Sequence, residues 1–175
     1  VQAYDQVWVK HIRAALMENR FRLVQQPVAS LRGGEDKIFD VAIRMVDTQG
    51  KEVLPSEFLP AAGRNDLLKN IDRWVIGASL AFAAKRQPDL LFVRLSKDSV
   101  ADAALLPWLA TRLKATGTDP QRLCLQVTEQ AALHQAIGAA AGPLGHSRQQ
   151  RRGQPAQPSE REPVAKEVGG HFLVG

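Results

Sequence analysis

Apolar positions along the first 141 residues switch repeatedly between two periods, and each switch marks an element. Trp8, Ile12, Ala15 and Leu16 share one face of an amphipathic helix over residues 5–18, which Asn19 and Arg20 end. Phe21–Ala29 and Ile38–Val46 are extended runs rich in β-branched and aliphatic residues. The turn Arg32-Gly33-Gly34-Glu35-Asp36 lies between them, so the pair predicts a β-hairpin. Leu54-Pro55-Ser56-Glu57-Phe58-Leu59 opens a short helix with proline in its first turn. Asn65 or Asp66 is placed to cap a long helix running to about Lys85, with Leu68, Ile71, Trp74, Val75 and Leu80 inward and Pro88 as its stop.

Beyond Pro88 the runs shorten. Leu90–Leu95 is a continuous apolar stretch of the kind found in a parallel strand covered on both faces. A helix is predicted over residues 104–115, followed by the breakers Gly117 and Pro120. Leu123–Val127 reads as another buried strand, and Glu129–Ala141 as helix. A hairpin followed by alternating strands and helices predicts an α/β protein with a parallel sheet. Gly142 marks a boundary. Residues 142–175 hold six glycines, four prolines and neither period, so they are expected to be a disordered or aberrant tail, such as a shifted reading frame would leave. A chain that opens on Val1 rather than methionine reads as a fragment of something longer.

Composition narrows the chemistry. The single cysteine, Cys124, excludes a disulfide framework and a cysteine-rich zinc site, and its neighbours Leu123 and Leu125 predict a buried thiol. No apolar run approaches the ~18 residues of a membrane span, and no signal peptide opens the chain, which predicts a cytoplasmic protein. The net charge of +5 is spread thinly. Residues 1–141 carry 18 Lys and Arg against 15 Asp and Glu, and the tail carries five against three. Aromatics do not interleave with arginine, so nucleic acid is not a predicted partner. His11, His134, His146 and His171 lack ligand spacing, and no serine sits in a nucleophile elbow.

Five segments, in order, carry a family pattern: Phe21-Arg22-Leu23-Val24-Gln25-Gln26-Pro27-Val28, Phe39-Asp40-Val41-Ala42-Ile43-Arg44, Leu54-Pro55-Ser56-Glu57-Phe58-Leu59-Pro60, Ile71-Asp72-Arg73-Trp74-Val75-Ile76 and Leu125-Gln126-Val127-Thr128-Glu129. Together they resemble the EAL-domain family of cyclic-di-GMP phosphodiesterases and receptors. The resemblance implies an incomplete TIM-like (β/α) barrel of EAL type that begins with an antiparallel β-hairpin. Residues 1–141 would then be a partial, degenerate EAL domain, since a full barrel takes about 250 residues. Gly33-Gly34-Glu35-Asp36 also resembles the Gly-Gly-Asp-Glu-Phe signature of diguanylate cyclases, but it falls where the hairpin needs a glycine turn.

The resemblance also implies where the chemistry is altered. The family strand Phe-Glu-Ala-Leu-Leu-Arg has become Phe39-Asp40-Val41-Ala42-Ile43-Arg44. The family's Asn-Leu-Ser is Arg94-Leu95-Ser96, and the first glutamate of Glu-x-Thr-Glu is Gln126. No Asp-Asp pair follows. Divalent-metal hydrolysis needs hard oxygen ligands at these positions, so Mg²⁺ is not expected and no residue is assigned a catalytic role. For cyclic-di-GMP as ligand, the resemblance implies contacts from Gln26, from Arg44 beside a phosphate and from Asp72 at a guanine edge. Asp40 and Ala42 are expected to line the pocket floor at the strand's C-terminal end, Ser56 to add a hydroxyl contact, and Arg94, which departs from the family's Asn, to replace part of the metal's charge beside a phosphate. Read alone, the same residues have plainer roles. Arg44 could pair with Glu57 or Asp47, Asp72 could be a surface carboxylate, and Gln26 could satisfy a barrel-floor hydrogen bond. Among degenerate members the pattern is most like FimX-type receptors of type IV pilus and twitching-motility regulation, which implies upstream signalling domains and a PilZ-type adaptor as partner. A residual phosphodiesterase, a ligand-free interaction module and a nonfunctional fragment stand as alternatives.

Overall fold

A computed structural model of the chain describes residues 1–140, 167–168 and 171–173. Helix α1 (Gln2–Met17) buries Val9, Ile12 and Ala15 along one stripe, and Asn19 turns the chain at φ +52°. Strands β1 (Phe21–Val28) and β2 (Ile38–Val46) form the expected antiparallel hairpin. Its register sets Gln26 opposite Asp40, Val24 opposite Ala42 and Arg22 opposite Arg44. Gly33 and Gly34 take φ +81° and +150°, values that side chains avoid, which explains the glycines in the turn. A short strand, β3 (Glu52–Val53), extends the sheet beyond β2; its two residues are too few for a periodic signal.

Helix α2 (Pro55–Arg64) starts at proline, and the Glu57 carboxylate accepts from the Leu54 N–H at 3.0 Å. Helix α3 (Leu68–Arg86) buries Ile71, Asp72, Val75, Ile76 and Leu80. Its expected cap is not formed. Neither Asn65 nor Asp66 caps α3, which starts after Leu67 without a side-chain cap. The Asn65 amide instead donates back to the Ala61 carbonyl at 2.8 Å, closing α2, while Asp66 bends the chain at φ +55°. Strand β4 (Leu90–Arg94), α4 (Lys97–Val100), α5 (Leu105–Thr116), β5 (Leu123–Thr128) and α6 (Glu129–Ala140) complete the alternation. Two short strands follow, β6 (Glu167–Val168) and β7 (His171–Leu173), with β7 antiparallel to β5. Apart from these two, the expectation of a disordered or aberrant tail over 142–175 lies outside the described residues.

The sheet order is β1-β2-β4-β5-β7-β6, with β2, β4 and β5 parallel. Side chains alternate between its faces. Val41, Ile43 and Met45 of β2, with Leu91 and Val93 of β4, pack with Phe58, Ile71, Ile76 and Leu80 of the helices into one core. The other face carries Asp40, Ala42 and Arg44 beside Phe92 and Arg94, then Cys124 and Gln126; the register pairs Arg94 with Gln126. Strand β4 therefore differs from the two-sided strand its sequence suggests. Leu91 and Val93 are buried, Leu90 and Phe92 only half-buried, and Arg94 is exposed. Cys124 is buried, and burial pushes its thiol pKa up, as an inert structural cysteine requires.

Candidate ligand-binding site

A cavity of about 540 Å³ opens where β2 and the C-terminal end of β4 meet α2 and α3. Its walls are mostly aliphatic, with Ile43, Leu59, Leu68, Ile71 and Val75 among them. The polar groups are few: Ser56, Asp72, Arg94 and Ser96. An apolar slot with sparse polar groups suits a flat, hydrogen-bonding ligand. Ala42 is also among the lining residues.

Arg94 leaves the end of β4 with its side chain 62% exposed, and its Nη2 donates to Asp40 Oδ2 at 2.7 Å. The strand register makes this ion pair, because parallel pairing sets Asp40 beside Phe92, one pleat below Arg94. Asp40 Oδ1 and Gln126 Oε1 are buried without a protein donor among the described residues. Such acceptors each cost on the order of 1–3 kcal/mol, so this corner of the sheet is built at some expense to stability.

Asp72 is 8% exposed, and one of its oxygens is heavily used. Oδ2 accepts from the Ser96 N–H at 2.8 Å, the Ser96 hydroxyl at 2.6 Å and the Ser99 hydroxyl at 2.6 Å. Oδ1 takes no protein donor among the described residues. Burial pushes the Asp72 carboxyl pKa up, against the lowering effect of these donors. The residue is therefore no surface carboxylate. Ser96 and Ser99 were not singled out by sequence reasoning, although the Ser-x-x-Ser spacing is the available signal: Ser96 caps α4 by accepting from the Ser99 N–H at 3.3 Å.

The seven sequence-predicted residues separate into two groups. Ala42, Ser56, Asp72 and Arg94 line the cavity, and Asp40 lies against it through Arg94. Gln26 sits opposite Asp40 in the hairpin, exposed and outside the cavity wall. Arg44 is also outside that wall, with its Nη1 donating to the Ile43 carbonyl at 2.8 Å. Its alternative partners are engaged elsewhere. Glu57 closes the start of α2, and Asp47 accepts from the N–H groups of Gln49 and Lys51.

The EAL domain family model matches residues 9–143. The chain belongs to the EAL domain family. It is similar to the crystal structure of the FimX EAL domain from Pseudomonas aeruginosa bound to c-di-GMP, at 42% identity and a TM-score of 0.69, over 74% of this chain and 53% of that one. The Xanthomonas citri FimX EAL domain, in complex with c-diGMP, superposes at a TM-score of 0.69 with 27% identity, over 79% and 55% of the two chains. The cyclic di-GMP phosphodiesterase PdeF of Escherichia coli strain K12 is 30% identical over 129 residues, 71% of this chain and 17% of that protein. The chain thus spans about half of each solved EAL chain and a small part of the curated relative. The antiparallel hairpin followed by parallel strands is the opening part of the EAL TIM-like barrel. No helix among the described residues is long and apolar enough to cross a membrane.

Proposed function

We propose that this EAL domain is a cyclic-di-GMP receptor module that binds the dinucleotide without cleaving it. The observation that carries the reading is the Arg94–Asp40 ion pair at 2.7 Å. Hydrolysis by this family route calls for divalent metal held by several hard, anionic oxygens. Here a guanidinium lies against the only carboxylate β2 offers to that corner, and β5 offers the neutral Gln126. These residues do not fit a divalent cation. They suit an anion instead, because Arg94 has further N–H donors, unused among the described residues, to offer a phosphate oxygen.

The aliphatic cavity supports a purine, with Asp72 Oδ1 and the Ser56 hydroxyl as edge contacts. Gln26 and Arg44, on the open face beyond the wall, are proposed contacts for the half of the dinucleotide outside the cavity. The likeness to FimX EAL domains supports a role in type IV pilus regulation with a PilZ-type adaptor, in a longer protein that carries signalling domains. The likeness to PdeF supports a second reading, residual phosphodiesterase activity. Calorimetry with cyclic-di-GMP, followed by chromatography of the mixture, separates them. Saturable binding with the dinucleotide recovered intact is expected. Linear dinucleotide product would establish the enzyme, and absence of binding would leave an interaction module or nonfunctional fragment.

A further inference from the structure

A buried carboxylate needs donors, and among the described residues the donors of Asp72 all come from one short segment. Ser96 gives its N–H and hydroxyl, and Ser99 gives its hydroxyl, all to Oδ2. Ser99 is 1% exposed and is not part of the cavity wall. The segment is tied a second time by the Leu95 N–H, which donates to the Gln126 carbonyl at 2.9 Å. Immediately before these anchors stands Arg94, a long and largely exposed side chain. A flexible guanidinium holds one geometry only when the backbone beneath it is fixed.

We infer that Asp72 is a positioning residue: it clamps the β4–α4 segment through Ser96 and Ser99, and so sets where the Arg94 guanidinium stands relative to Asp40 and the cavity. The consequence for ligand affinity rests on the reading of the cavity as a dinucleotide site; the clamp itself does not. Any direct contact of Asp72 with ligand falls to Oδ1. Ser99 separates the two roles, since it bonds Asp72 without being part of the cavity wall.

The test is a double-mutant cycle read by calorimetry with cyclic-di-GMP on the full chain: wild type, Ser99→Ala, Arg94→Ala and the double variant. Ser99→Ala is expected to weaken binding by roughly tenfold when Arg94 is present and to have little effect when Arg94 is already alanine. Equal factors in both backgrounds, or no loss from Ser99→Ala, would overturn the inference. Amide hydrogen exchange reads the clamp without ligand: the amides of Ser96–Ala101 should exchange faster in Ser99→Ala than in wild type, and unchanged rates would remove the clamp. If the wild type does not bind the dinucleotide, the reading of the site fails, while the exchange rates still decide the clamp.

Discussion

Two effects oppose each other on the Asp72 carboxylate: burial favours its neutral form, and the serine donors favour its anion. Burial is the larger, so the native pKa lies above the ordinary value of 3.8. The native state then holds this proton more tightly than the unfolded chain does. The resulting stabilisation is fully present below pH 3.8 and is lost as pH rises through the raised native value. Urea denaturation at a series of pH values should show wild type losing stability relative to Asp72→Asn as pH rises above about 4. A gap independent of pH would contradict this. Arg94→Ala should weaken cyclic-di-GMP binding by about 10- to 100-fold, the worth of one charge-assisted hydrogen bond; unchanged affinity by calorimetry would remove Arg94 from the site. Family-pattern reading found Arg94 and Asp40 as single residues. Their mutual bond joins positions 54 apart in sequence, and only the parallel register of β2 and β4 reveals it.

Helices and strands were readable wherever period and length were sufficient. Strand β2 occupies the predicted Ile38–Val46, and the core face of α3 contains the predicted Ile71, Val75 and Leu80. Short elements and junctions were not readable, because tertiary contacts decide them. Asn65 looks like a cap for α3, yet its amide serves α2 and lies 3.4 Å from Asp5 of α1. Asp5 is itself gripped by Arg64, with bonds at 2.7 and 2.8 Å that fasten α1 to the end of α2. The Arg64 guanidinium holds the Asp5 carboxyl below its usual range. This contribution is present above pH 3.8 and disappears as pH falls through the lowered native value, the reverse of Asp72. Asp5→Ala should lower the urea midpoint at neutral pH and have no effect in strong acid. Within α3, Ile76 has no exposed surface. Ile76→Ala should cost about 2–5 kcal/mol in the same denaturation measurement.

For the molecule as a whole, the hydrophobic core among the described residues runs from Trp8 to Ala132 and includes Val9, Ile12 and Ala15 of α1. A chain ended at residue 141 should therefore still unfold in one cooperative thermal transition; a broad, non-cooperative loss of circular dichroism would contradict that. The same core fixes the strand ends at which Asp40, Arg94 and Gln126 meet. If Arg94 supplies the positive charge at the site and a divalent metal does not, dinucleotide affinity is independent of Mg²⁺. Calorimetric titration of the wild-type chain with cyclic-di-GMP, once in excess EDTA and once in saturating Mg²⁺, tests it most directly. The same affinity is expected in both buffers, with intact dinucleotide at the end of each titration; binding that appears only with Mg²⁺, or cleavage when Mg²⁺ is added, would instead assign the charge to the metal.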